Sequence, residues 1–139
     1  MLVKEIMTID PVFARPDSTL REVARMMAEN CCGGIPVCDD RGVIGVITDR
    51  DMACRGFTQG FNPLEIPVRY VMTAGVVSIS ENETLDRALQ IMSDAGVIRL
   101  PVVRNGQLIG IVSSSDMVEH LPDHQVAQLA RRTSHARHG

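Results

Sequence analysis

Laid over itself so that Val3 falls on Val68, the chain keeps one register with no gap. Met7-Thr8 meets Met72-Thr73, Val12 meets Val77, and Thr19-Leu20 meets Thr84-Leu85. Met27 then meets Met92, Pro36-Val37 meets Pro101-Val102, Ile44-Gly45 meets Ile109-Gly110, and Asp51-Met52 meets Asp116-Met117. A register held that far means two copies of one supersecondary unit, which limits the fold more than any composition does. In each copy a short strand (Val12–Ala14, Val76–Ile79) precedes a helix opened by Thr19 or Thr84, and "TLRE" is a capping box. Leu20, Val23, Ala24 and Met27 form an apolar stripe at helical spacing, as do Leu85, Ala88, Leu89 and Met92. A proline-bearing strand follows (Ile35–Cys38, Leu100–Val103), then a turn at "DDRG" or "NG" and a return strand (Val43–Ile47, Leu108–Val112). The proline belongs near a strand start or an edge. A second helix begins near Asp49 or Ser114, so each unit reads β-α-β-β-α.

The 139 residues are enough for a compact core, with 45% apolar residues but only 3% aromatic ones. That core is aliphatic and methionine-filled, with few platforms for stacking bases. The net charge is -3, and the positive residues of the tail (Arg131, Arg132, Arg137) leave the body more acidic still. This argues against nucleic acid. No apolar run is long enough to span a membrane and no signal-peptide pattern opens the chain, so a cytoplasmic location is expected. Cys31, Cys32, Cys38 and Cys54 form no Cys-x-x-Cys pair, so no zinc site is expected. They read as buried free thiols, and nothing in the spacing supports a bridge to Cys54.

Each copy closes on one phrase, "GVITDRD" from Gly45 to Asp51 and "GIVSSSD" from Gly110 to Asp116. Two readings stay open on the residues alone. Thr48 and Ser113 are good N-caps, and an acid three residues on suits the start of a helix. That leaves Gly45 and Gly110 unexplained, because a glycine inside a strand is destabilising unless something approaches the backbone closely. Alternatively the phrase is a nucleoside-phosphate cradle. Free helix N–H groups and a hydroxyl would meet a phosphate, and the carboxylate would accept from vicinal ribose hydroxyls.

With "IMT" and "VMT" opening the copies, "GGIPV" and "IRLPV" in the middle and the two closing phrases, residues 1–121 resemble a cystathionine-β-synthase (CBS) domain pair, or Bateman module. "RGFTQGFNP" and "HLPDHQVAQLARR" carry a narrower likeness to its small stand-alone bacterial type. The resemblance implies an α/β fold of tandem repeats (1–58 and 67–121, with a linker at 59–66 and a helix and disordered tail at 122–139), packed sheet to sheet about a pseudo-twofold axis. It implies a homodimer and two clefts for AMP, ADP, ATP or S-adenosylmethionine. One cleft would pair Ser113 and Asp116 with Pro11, Val12, Cys32, Gly33 and Gly34. The other would pair Thr48, Arg50 and Asp51 with Val76, Val77, Val97, Ile98 and Arg99. The second is the expected phosphate site, because Arg50 and Arg99 have Ser115 and Gly34 as their counterparts in the first.

Catalysis needs a nucleophile, a base and an orienting group within reach, and His120, His124, His135 and His138 all lie at the C-terminal end, outside the repeat. His120 and His124 are separated by Pro122, which does not favour a shared metal-binding face. The expectation is therefore a non-catalytic regulatory module without metal, acting through an unidentified protein partner. The alternative is a ligand-free dimerisation module.

Overall fold

The computed structural model describes residues 1–58, 62, 64–125, 127 and 131. The expected tail beyond Arg132, with His135 and His138, lies outside the described residues, as does part of the expected linker and of the helix after Pro122. The chain forms two compact units, Met1–Pro11 with Val77–Gly139, and Val12–Val76. Each unit therefore takes its opening segment from the other sequence repeat.

In Val12–Val76, helix α1 (Leu20–Asn30) is capped by Thr19, whose Oγ1 accepts the Glu22 N–H while Glu22 accepts the Thr19 N–H. The helix stops at Cys31, which adopts a left-handed conformation (φ 51°). Strands β2 (Gly34–Asp39) and β3 (Gly42–Thr48) pair antiparallel, and β3 also pairs with a two-residue strand, β4 (Thr73–Ala74). Pro36 lies inside β2, not at its start, and β2 is an edge strand of its three-stranded sheet, the other placement expected for it. The Pro36 carbonyl accepts the Ala14 N–H at 2.9 Å, on the side away from β3, so the N–H that Pro36 lacks is not missed by the β2–β3 ladder. The expected strand at Val12–Ala14 is reduced to a single bridge, Ala14 to Val37.

The second unit repeats this plan. Strand β1 (Thr8–Ile9) pairs with β7 (Gln107–Ser113), β7 with β6 (Arg99–Arg104), and β6 in parallel with β5 (Ile79–Ser80). Asn105 and Gly106 turn β6 into β7 with φ of 52° and 81°, the pair of positive values that a two-residue hairpin needs. Helix α3 (Leu85–Ala95) is capped by Thr84. The short helices α2 (Asp49–Asp51) and α4 (Ser114–Val118) follow β3 and β7, and α2 runs into a wider π-type turn at Met52–Gly56.

Each unit has its own aliphatic core. One gathers Val3, Leu85, Leu89, Met92, Leu100, Val102, Val112 and Met117, and the other Leu20, Val23, Met27, Ile35, Val37, Ile47, Ile66 and Val68. Val3 and Val68 hold the same repeat position, and each serves the core of the other copy. Of the four thiols, all free, only Cys38 is buried, and burial raises its pKa. Cys31 and Cys54 are exposed, which corrects the expectation of buried thiols. No helix among the described residues is long and apolar enough to cross a membrane.

Arg104 at the end of β6 grips Glu81 through two parallel bonds, Nε to Oε2 at 2.7 Å and Nη2 to Oε1 at 2.9 Å. The Arg104 bonds hold the Glu81 carboxyl below its usual range. A depressed folded pKa gives stability that is present above the ordinary carboxylate value and lost as the pH falls through the folded one. Wild type should therefore melt above Glu81→Gln near neutrality, and the gap should close on acidification below the ordinary carboxylate range. A gap in melting temperature that stays constant across that pH range would show that the carboxylate charge is not its source.

Candidate functional site

At the end of β3 the chain turns from strand to helix at Thr48. The Asp51 N–H donates to Thr48 Oγ1 and the Thr48 N–H to Asp51 Oδ2, both at 3.0 Å. The Asp49 N–H donates to the Gly33 carbonyl at 3.0 Å, and the Arg50 N–H to Asp49 Oδ1 at 2.8 Å. The first three N–H groups of this turn are thus all bonded within the protein. The expected cradle of free N–H groups does not exist at Thr48, because the capping residues and the Gly33 carbonyl have taken its donors.

The remaining capacity of Asp51 is also engaged. Arg55, one helical turn on, pairs with Asp51 Oδ1 through its Nη2, and the same Nη2 donates to Thr73 Oγ1 at 2.8 Å. The Thr73 hydroxyl lies 3.4 Å from both carboxylate oxygens. The Asp51 side chain is only 14% exposed. Arg55 and Thr73 were not singled out from the sequence. Arg55 had a signal in its i,i+4 spacing from Asp51. Thr73 had one in the repeated "Met-Thr", but nothing in the sequence joins it to Asp51.

At the end of β7 the pattern recurs with fewer partners. The Asp116 N–H donates to Ser113 Oγ at 3.2 Å, and the Ser113 N–H to Asp116 Oδ2 at 2.9 Å. The Ser114 N–H donates to the Ile98 carbonyl at 2.7 Å, and the Ser113 and Ser115 hydroxyls are 2.8 Å apart. Among the described residues only the Ser113 N–H bonds to the Asp116 carboxylate. His120 stands where Arg55 stands in the other repeat, and it is exposed.

Gly45 and Gly110 have an internal explanation. A Cβ at Gly45 would lie 2.6 Å from the Thr73 carbonyl oxygen, and one at Gly110 would lie 2.7 Å from Met7 Sδ and 2.9 Å from the Thr8 carbonyl oxygen. What approaches these strand backbones is β4 and β1, so the glycines do not by themselves point to a ligand.

Each expected ligand set has members in both units. Ser113, Asp116 and Pro11 fall in one, and Val12, Cys32, Gly33 and Gly34 in the other. Thr48, Arg50, Asp51 and Val76 share a unit, while Val77, Val97, Ile98 and Arg99 belong to its counterpart. Within the units, Gly34 pairs directly across from Thr48, and Arg99 across from Ser113. Arg99 thus lies on the same sheet face as Ser113. The Asp49 carboxylate sits against Gly33, where a Cβ would come within 2.8 Å of its Oδ2. Cys32 and Val97 pack against their respective cores. Val12 and Val77 are exposed, and Arg50 projects from the exposed face of α2.

The CBS domain family model matches residues 3–54 and 68–123, the two copies of the repeat. The chain belongs to the CBS domain family. This CBS chain is 29% identical over 129 residues to Hypoxic response protein 1 of Mycobacterium tuberculosis, covering 92% of itself and 90% of that protein. A crystal structure of Hypoxic Response Protein I with two coordinated zinc ions superposes with a TM-score of 0.80, at 29% identity, covering 88% of this chain and 100% of that one. Among the described residues of the CBS chain, no group of three or more His, Cys, Asp or Glu side chains could hold a metal ion. The uncharacterized protein MK0525 of Methanopyrus kandleri is 34% identical over 86% of this chain, which spans 62% of that protein's length. The CBS domain pair of protein MJ0100, crystallised with 5-methylthioadenosine and S-adenosyl-L-methionine, superposes with a TM-score of 0.76 at 26% identity, covering 86% and 94% of the two chains.

Proposed function

We propose that this CBS chain is a non-catalytic regulatory module that binds an adenosine ligand (AMP, ADP, ATP or S-adenosylmethionine) at its strand-end phrases and passes occupancy to a protein partner. The adenosyl ligands of the MJ0100 domain pair support the ligand class. The observation that carries the reading is the half-buried Asp116 carboxylate. Within the described residues it accepts one N–H, so it has capacity for the two hydroxyls of a ribose. Arg99, across the ladder from Ser113, brings a guanidinium to the same strand end. Thr48, Arg50 and Asp51 form a second locus in this proposal, where a ribose must compete with Arg55. That reverses the expected ranking, which gave the phosphate site to Asp51 on the strength of Thr48, Arg50 and Arg99.

A ligand-free dimerisation module is the second reading, favoured by the completeness of the Thr48–Asp51 capping box and by the exposed apolar side chains of Ile9 and Phe13. Calorimetric titration of AMP, ATP and S-adenosylmethionine decides between them. Asp116→Asn should weaken the ligand that binds by about tenfold or more, since it replaces acceptors of charge-assisted bonds. No heat and no rise in melting temperature with any of the three would leave the dimerisation module standing.

A further inference from the structure

Arg55 has the only cationic side chain that the structure shows bonded to an Asp of the closing phrases among the described residues, and its counterpart in the repeat is a histidine. Its Nη2 bridges Asp51 and Thr73, tying the turn after β3 to β4. Its side chain is 44% exposed, so the guanidinium is only partly occupied by these two partners. Resting on the adenosine reading above, we propose that Arg55 makes the Asp51 locus selective for phosphorylated adenosine ligands over uncharged or cationic ones.

The argument is one of exchange. Ribose hydroxyls that bond Asp51 Oδ1 must share or displace the Arg55 bond. Adenosine returns nothing to the guanidinium it displaces. S-adenosylmethionine brings a sulfonium and an ammonium against a single carboxylate, a net positive charge, toward a positive side chain. A nucleotide brings a phosphate, to which a guanidinium can present two parallel charge-assisted bonds while Asp51 turns to the ribose. Backbone donors cannot take over this role, because the N–H groups of Asp49, Arg50 and Asp51 are already bonded. The selectivity therefore has to come from side chains.

The test uses the full chain with Asp116→Asn as background, so that the Asp116 locus is weakened and the Asp51 locus is the tighter one read. AMP, adenosine and S-adenosylmethionine are titrated by calorimetry into that background and into its Arg55→Ala, Arg55→Lys and Arg50→Ala derivatives, with melting curves as the folding control. The background should prefer AMP to adenosine by about tenfold or more. Arg55→Ala should bring that ratio close to one and improve S-adenosylmethionine relative to AMP, while Arg55→Lys keeps part of the ratio and Arg50→Ala moves it less than Arg55→Ala. If Arg55→Ala does not fold, Arg55→Gln gives the same reading. An AMP-to-adenosine ratio unmoved by loss of the Arg55 charge would overturn the inference. So would a background that binds no AMP although wild type does, and in both cases the adenosine reading survives. Wild type that binds none of the three ligands would overturn both.

Discussion

Gly45→Val should destabilise the chain by about 1–3 kcal/mol, the range for inserting extra carbons into a packed site. The obstacle is backbone. The first added carbon would lie 2.6 Å from the Thr73 carbonyl oxygen and 3.0 Å from Met72 Sδ. That carbonyl belongs to β4, which is held to β3 through Gly45↔Ala74 and Val46↔Thr73. It can retreat only by giving up this pairing, and Thr73 is also a partner of Arg55 and Asp51. A β-branched residue would otherwise suit a strand, so an improvement in strand preference works against the clash without removing it. Gly110→Val tests the same argument by degree. Its nearest neighbour is the flexible thioether of Met7 at 2.7 Å, with the Thr8 carbonyl oxygen at 2.9 Å, so part of its strain can be relieved by rotation and the loss should be smaller. Urea unfolding followed by circular dichroism measures both. A midpoint for Gly45→Val at or above that of wild type would mean that β4 does not press on β3 in solution.

The two strands that explain these glycines were not visible in the sequence, for a physical reason. Strands β1 and β4 are two residues long and exposed, so they show neither an apolar run nor an alternation. The exchange of opening segments was hidden by the repeat itself. Because Met7-Thr8 and Met72-Thr73 are the same dipeptide, pairing each with its own copy or with the other satisfies the pattern equally well. Long-range pairing decides, and periodicity does not report it. What the sequence did carry was local: the Thr19 box, the Thr84 cap, the Asn105-Gly106 turn, the α3 stripe and the α1 stripe at Leu20, Val23 and Met27 appear as read, while Ala24, expected in that stripe, is exposed. The closing phrases were legible as caps and as acceptors. That the Gly33 carbonyl and the Asp49 side chain would consume the free N–H groups was not, since both contacts depend on how β2 meets the turn.

Ile35→Ala and Leu100→Ala should each cost about 2–5 kcal/mol, the range for emptying a buried aliphatic site that cannot fully collapse. They occupy one position of the repeat, and each is fully buried. Ile35 sits on β2 directly across from Ile47, and Leu100 on β6 across from Val112, so each truncation opens a void between a hairpin and its core. How far each void closes depends on the neighbours. The Leu100 core encloses Met92 and Met117 and has one partly buried methionine, Met7, at its margin, whereas the Ile35 core encloses Met27 and has three, Met26, Met52 and Met72. An unbranched thioether at a margin can swing inward more freely than one already enclosed. The Leu100 lesion should therefore be the more costly of the two. Ile35→Val supplies the scale, since it removes a single methyl and should cost about 0.5–1.5 kcal/mol. Each loss is read as a shift of the urea midpoint at unchanged slope, because a changed slope would mean that the unfolded or native state itself had altered. Amide exchange then locates the damage. Protection should fall first in β2 and β3 for Ile35→Ala, and in β6 and β7 for Leu100→Ala, because each side chain belongs to one core only. Losses below about 1 kcal/mol for both alanine variants would show that these two positions do not hold the hairpins in place.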